Sequence, residues 1–80
     1  DQIQVNAILP GWIDTPLTQG SRKTFPGLDH HVEHRCPAGR WGTPADFAGP
    51  AVFLASGASA FVTGETLLVD GGYAQSALIV

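Results

Sequence analysis

The sequence predicts an α/β fold, in which a strand, a long loop, a helix and a second strand join as one right-handed crossover unit of a parallel sheet. Three observations predict it. Ile3, Val5, Ala7, Ile8 and Leu9 begin as an alternation, merge into a continuous apolar run and stop at Pro10-Gly11. Thr43-Pro44-Ala45-Asp46 opens a helical pattern. ETLLVD at 65–70 is a second apolar run, closed by Gly71-Gly72.

The first run has the continuity of a strand buried on both faces of a parallel sheet. Such a strand needs neighbours to satisfy its backbone groups. It starts almost at once, and the chain has no initial methionine, so the sequence is expected to begin inside a longer protein. Residues 17–42 are the least regular part, punctuated by Gly20, Pro26, Gly27, Pro37, Gly39 and Gly42, with a short helix over Leu28–Arg35. A connection of that length belongs to a lid or binding loop, the alternative being a merely mobile surface loop.

In the helical pattern, Thr43 offers an N-cap hydroxyl, Pro44 stands at the first helical position and Asp46 follows the cap by three. Phe47, Ala48, Ala51, Val52, Leu54 and Ala55 form one broad apolar face. Ser56-Gly57 is the expected stop, with the glycine free to turn left-handed. Pro50 falls at the seventh helical position, where it is expected to delete a backbone hydrogen bond and bend the helix.

Eighty residues allow one domain, whose own core would be marginal, since a chain this short buries only about 60% of its unfolded surface. Only 14% of residues are charged, as expected of a piece whose faces are covered by something else. Four Lys and Arg against seven Asp and Glu give no basic stripe, so nucleic acid is not an expected partner. No apolar stretch approaches the roughly 18 residues of a membrane span, so no membrane is expected either. Cys36 is the sole cysteine and cannot form an internal disulfide, which suits a reducing cytoplasmic setting.

Ligands of open α/β sheets bind beyond the carboxyl ends of the strands, and Pro10-Gly11 lies at such an end. Proline turns the chain out of the sheet, and glycine permits a close approach. Trp12 to Thr15 would then present free backbone N–H and C=O groups beside a hydroxyl. Donors and acceptors in alternation suit a planar amide, such as the carboxamide of a nicotinamide ring. The alternative is an ordinary strand-to-loop turn.

Three blocks, NAILPGWIDTPLT, PAGRWGTPADFAGPAVFLAS and SAFVTGETLLVDGG, cover nearly the whole chain. In that order they resemble the C-terminal third of a classical short-chain dehydrogenase/reductase. The resemblance implies that residues 1–80 are the C-terminal part of a single NAD(P)-binding Rossmann-like domain, a doubly wound parallel sheet, with the N-terminal part absent. It implies NAD or NADP as cofactor, and hydride transfer to or from a secondary alcohol or ketone of a small molecule. It also assigns the cofactor-binding positions: Pro10 and Gly11 shape the turn, the Ile13 backbone meets the carboxamide, and the Thr15 hydroxyl bonds the carboxamide or a phosphate. RWG, the Pro44 helix and VDGGY are most similar to the sugar-acid members, of the gluconate 5-dehydrogenase and 2-deoxygluconate 3-dehydrogenase type. RxG and VDGG recur in ketoacyl reductases, so that substrate class stays open beside the first.

No glycine-rich GxGxxG loop occurs in the chain, and Tyr73 is followed four residues later by Ala77 rather than lysine. No catalytic residue is therefore assigned, and this piece alone is expected to be inactive. A stand-alone interaction module remains the alternative to an enzyme piece. His30, His31, Glu33, His34 and Cys36 crowd together, but HHVEH is not HExxH and no distant fourth ligand is evident, so a metal is not expected. Arg35 and Arg40 are either carboxylate forks or surface cations, Trp41 is expected to pack under the loop, and Asp70 to form a turn. The apolar surround of the Pro44–Ser56 helix, the last strand and the tail Ala77–Val80 point to a homo-oligomer. The resemblance implies a tetramer with Val52 or Phe53 near an axis.

Overall fold

The computed structural model describes residues 2–76. Strand β1 (Ala7–Pro10) leads to helices α1 (Pro16–Thr24) and α2 (Leu28–Arg35), then to helix α3 (Ala48–Ala55), strand β2 (Thr66–Val69) and a single turn, α4 (Tyr73–Ser76). β1 and β2 pair in parallel, Ala7 opposite Thr66 through Pro10 opposite Val69. The chain thus has the expected parallel α/β crossover.

Both strands are shorter than their apolar runs, and the segment before β1 is held by side chains as well as by the Gly64 N–H donating to the Val5 carbonyl at 2.7 Å. The Gln4 amide donates to the carbonyls of Ser59, Ala60 and Val62, and the Val5 N–H donates to Thr63 Oγ1 at 3.1 Å. Nor is β1 buried on both faces: Ile8 is half-buried and its neighbours are exposed. Among the described residues the sheet has two strands. The radius of gyration, 15.0 Å, exceeds the about 12 Å of a compact domain of this length. Among the described residues only Val32, Cys36, Trp41 and Ser59 are buried, and the three apolar ones lie on α2 and in the loop behind it.

Helix α1 was not expected. Leu17 is its only large apolar residue, so no recurring apolar face marks it in the sequence. Capping makes it instead. Pro16 stands at the first position, and Thr15 and Thr18 form a reciprocal capping box: the Thr18 N–H donates to Thr15 Oγ1 and the Thr15 N–H to Thr18 Oγ1. Arg22 and Lys23 complement the dipole in the last turn. Helix α2 has the expected bounds.

The third helix is corrected in two respects. Its first turn, Pro44–Phe47, is 3₁₀, and α geometry begins at Ala48. Pro50 therefore falls in the first turn of α3, where its missing N–H has no intrahelical partner to lose, and the expected deletion does not arise. The helix does stop at Ser56, but Gly57 keeps a negative φ. Ser56 ends it in an extended conformation, its hydroxyl donating to the Phe53 carbonyl at 3.0 Å. No residue of α3 is buried, and Val52 is 66% exposed. The tail Ala77–Val80 lies outside the described residues.

Candidate cofactor segment at the strand tips

Beyond Pro10 the two strand ends converge. The Gly11 N–H donates to the Val69 carbonyl at 3.1 Å. A Cβ on Gly11 would lie 2.7 Å from Asp70 Cβ and 2.8 Å from its Cα. The close approach that requires glycine is thus to β2's own end. Asp70 forms the expected turn, accepting the N–H groups of Gly72 and Ala74 at 2.9 and 3.0 Å.

The segment then makes a second parallel contact, Ile13 opposite Gly42. A parallel bridge uses the groups of flanking residues on one side: the Gly42 N–H donates to Trp12 O at 2.9 Å and the Asp14 N–H to Gly42 O at 2.8 Å. Ile13 consequently directs its own N–H and C=O to the opposite edge. Its carbonyl accepts the Thr18 hydroxyl at 2.6 Å. Its N–H has no partner among the described residues. The expectation that the backbone from Trp12 to Thr15 is free is therefore corrected. The carbonyls of Trp12 and Ile13 and the N–H groups of Asp14 and Thr15 are already bonded, and the N–H groups of Trp12 and Ile13 are the donors left without a partner among the described residues. Thr18, which satisfies the Ile13 carbonyl and the Thr15 N–H, was missed because a threonine at the third helical position lacks the Glu or Gln that marks a capping box in sequence.

Pro10, Gly11, Ile13 and Thr15 thus form one continuous tip, with Thr15 committed as the N-cap of α1. Ile13 also lines a cavity of about 290 Å³ at the carboxyl ends of the strands, with Arg40, Asp46, Leu68 and Asp70 among its walls. The Arg40 fork is engaged by Asp46: Nη1 and Nη2 donate to Asp46 Oδ2 and Oδ1 at 2.9 and 3.0 Å. The Thr43 N–H also donates to Asp46 Oδ2, at 2.7 Å. The Arg40 fork first, and the Thr43 N–H next, hold the Asp46 carboxyl well below the usual carboxylate range. The same pairing raises the Arg40 guanidinium.

A carboxyl held low stabilises the fold only when ionised. That contribution is complete above the unfolded value of about 3.9 and disappears as pH falls below it. Asp46→Asn is expected to flatten the loss of thermal stability below about pH 4, by a small amount because the pair is exposed. Unfolding midpoints of both proteins across the acid range check this.

Around the tip stands an aromatic box. The Trp12 ring meets His31, Trp41 and Tyr73 edge to face, at 6.2, 5.9 and 6.0 Å between centroids. His31 Nε2 and the Tyr73 hydroxyl are 2.9 Å apart. Trp41 packs under the loop as expected. Its Nε1–H donates to Asp29 Oδ1 at 2.9 Å. The His30 and His34 rings touch at 4.0 Å. Among the described residues no three His, Cys, Asp or Glu side chains converge to hold a metal ion, and no helix is long and apolar enough to cross a membrane. Arg35 is half-buried at the last position of α2.

A family model described as enoyl-(acyl carrier protein) reductase matches residues 1–74. The chain is 54% identical over 71 residues to the 2-dehydro-3-deoxy-D-gluconate 5-dehydrogenase of Pseudoalteromonas atlantica, covering 89% of the chain and 28% of that protein. A crystal structure of a gluconate 5-dehydrogenase from Burkholderia cenocepacia, in complex with NADP and tartrate, superposes with a TM-score of 0.83 at 42% identity, over 91% of this chain and 28% of that one. A 2-keto-3-deoxy-D-gluconate dehydrogenase from Streptococcus agalactiae gives a TM-score of 0.84 at 41% identity, over 95% and 30%. The chain therefore spans somewhat over a quarter of the length of the relatives it matches.

Proposed function

The chain belongs to the short-chain dehydrogenase/reductase family, in the group its enoyl-(acyl carrier protein) reductase model describes, and we propose that the whole protein moves a hydride between NAD or NADP and a secondary alcohol or ketone of a sugar acid. The observation that carries this reading is the 54% identity to a sugar-acid dehydrogenase across a stretch that includes both strand tips. NADP is named in the Burkholderia structure, and the cofactor supplies the redox chemistry while the protein positions it. Pro10 and Gly11 shape the turn, the unpartnered Ile13 N–H donates to the nicotinamide carboxamide, and the Thr15 hydroxyl, beyond its capping bond, donates to the carboxamide or a phosphate. Assay of the whole protein with gluconate-type sugar acids and with ketoacyl thioesters tests the substrate class. Turnover of the thioesters alone overturns the sugar-acid reading.

Thr15→Ala is expected to raise the cofactor KM several-fold, since a lost hydrogen bond costs on the order of 0.5–1.5 kcal/mol. The same change removes the cap of α1, at about 1 kcal/mol of stability. Thr15→Ser keeps both functions and is the control. A normal KM in a folded Thr15→Ala protein rules out the contact.

The same reading includes a homo-tetramer working in the cytoplasm. Exposed Val52 and Phe53 on α3 support self-association, and the single cysteine supports a reducing compartment. Sedimentation of the whole protein at micromolar concentration is expected to show a tetramer that Phe53→Asp dissociates. A clean monomer contradicts it.

A further inference from the structure

We propose that Arg22 is a positioning residue for the reaction, pinning helices α1 and α2 to the tip of β1; this rests on the functional reading above. Its guanidinium gathers separate pieces of chain. Nη1 lies 3.2 Å from Asp14 Oδ1, Nε lies 2.7 Å from Asp29 Oδ1, and Cζ lies 4.6 Å from the centre of the Trp41 ring. Asp29 Oδ1 also accepts the Trp41 Nε1–H, and Asp14 Oδ1 accepts the Gln19 side-chain amide at 3.3 Å. The contacts close into a circuit through the β1 tip, α1, α2 and the loop before α3.

Where the circuit lands gives it meaning. Asp14 stands between Ile13 and Thr15. Trp41 precedes Gly42, the backbone partner of Ile13, and its ring meets Trp12. Arg22 therefore grips residues next to both sides of the bridge that aims the Ile13 N–H. A single exposed ion pair would be weak. Here one planar cation serves two carboxylates and an aromatic face together, which a lysine, as a point charge on a flexible stem, cannot reproduce. Removing the cation leaves Asp14 and Asp29 uncompensated beside each other, and their repulsion drives α2 away from the tip. The pin is partly exposed, so its loss disturbs orientation more than global stability.

The test uses the whole protein with Arg22→Gln and Arg22→Lys. It compares kcat and the KM values for nicotinamide cofactor and sugar acid with hydrogen exchange over residues 16–35 and with the unfolding midpoint. Arg22→Gln is expected to raise both KM values about five- to tenfold with kcat within about twofold. Exchange over 16–35 speeds up, the midpoint stays, and Arg22→Lys falls between. Unchanged KM values overturn the proposal, whether exchange or the midpoint moves or not, because a merely structural arginine would behave so. If the wild-type protein turns over no nicotinamide cofactor, the functional reading fails by itself. Exchange then decides the pin: faster exchange in both Arg22→Gln and Asp29→Asn supports it, and unchanged exchange overturns it.

Discussion

Gly11→Ala is expected to destabilise the whole protein by about 1–3 kcal/mol and to weaken cofactor binding with it. The added Cβ would sit 2.7 and 2.8 Å from Asp70 Cβ and Cα. Neither atom is the end of a flexible side chain, so the backbone itself must yield. Asp70 cannot move freely, because its carboxylate holds the N–H groups of Gly72 and Ala74. Gly11 cannot retreat without breaking its 3.1 Å bond to Val69. The strand tips must separate, and the Ile13 segment two residues on is displaced with them. Denaturant unfolding checks the stability and a cofactor titration checks the binding. An alanine protein as stable as the wild type would mean that the tips are not packed this closely.

Gly71→Ala is expected to cost more, on the order of 2–4 kcal/mol, because two penalties coincide. Gly71 has φ of 62°, in the left-handed region that an L side chain resists. Its Cβ would also fall 2.6 Å from Cys36 Sγ and 2.9 Å from Ala38 Cβ. Cys36 is buried and bound in place, its thiol directed at the carbonyls of Asp70 and Gly71. The same chemical change inside α1 should act in the opposite direction. A Cβ on Gly20 meets nothing within 4 Å, and alanine is favoured in a helix by about 0.5–1 kcal/mol. Unfolding of the two variants side by side checks the sign as well as the size. Equal tolerance of alanine at both positions would contradict the packing around Gly71.

Much of the fold was legible because strong local signals agreed. The apolar runs around Ile8 and Leu67, the Thr43-Pro44 start and the Leu28–Arg35 helix all lie where the pattern places them, and the parallel pairing follows from the crossover. Helix α1 was illegible for a physical reason. Its order comes from threonine hydroxyls and a proline, while periodicity registers only apolar faces. Pro50 misled because the 3₁₀ turn at Pro44–Phe47 shifts the start of the α-helix, an offset that no residue type marks. At the candidate site, residue types at the Pro10-Gly11 tip announced a backbone platform. They could not reveal that Gly42 and Thr18, distant or inconspicuous in sequence, occupy most of its groups. Those contacts are long-range or hydroxyl-mediated, and they leave the Ile13 N–H as a donor without a partner among the described residues.

That donor is where the account is most directly tested, by a crystal structure of the whole protein with NADP bound. The account predicts the Ile13 N–H within hydrogen-bonding distance, about 2.7–3.2 Å, of the nicotinamide carboxamide oxygen. A carboxamide lying elsewhere, with the Ile13 N–H bonded to protein or solvent, would contradict it.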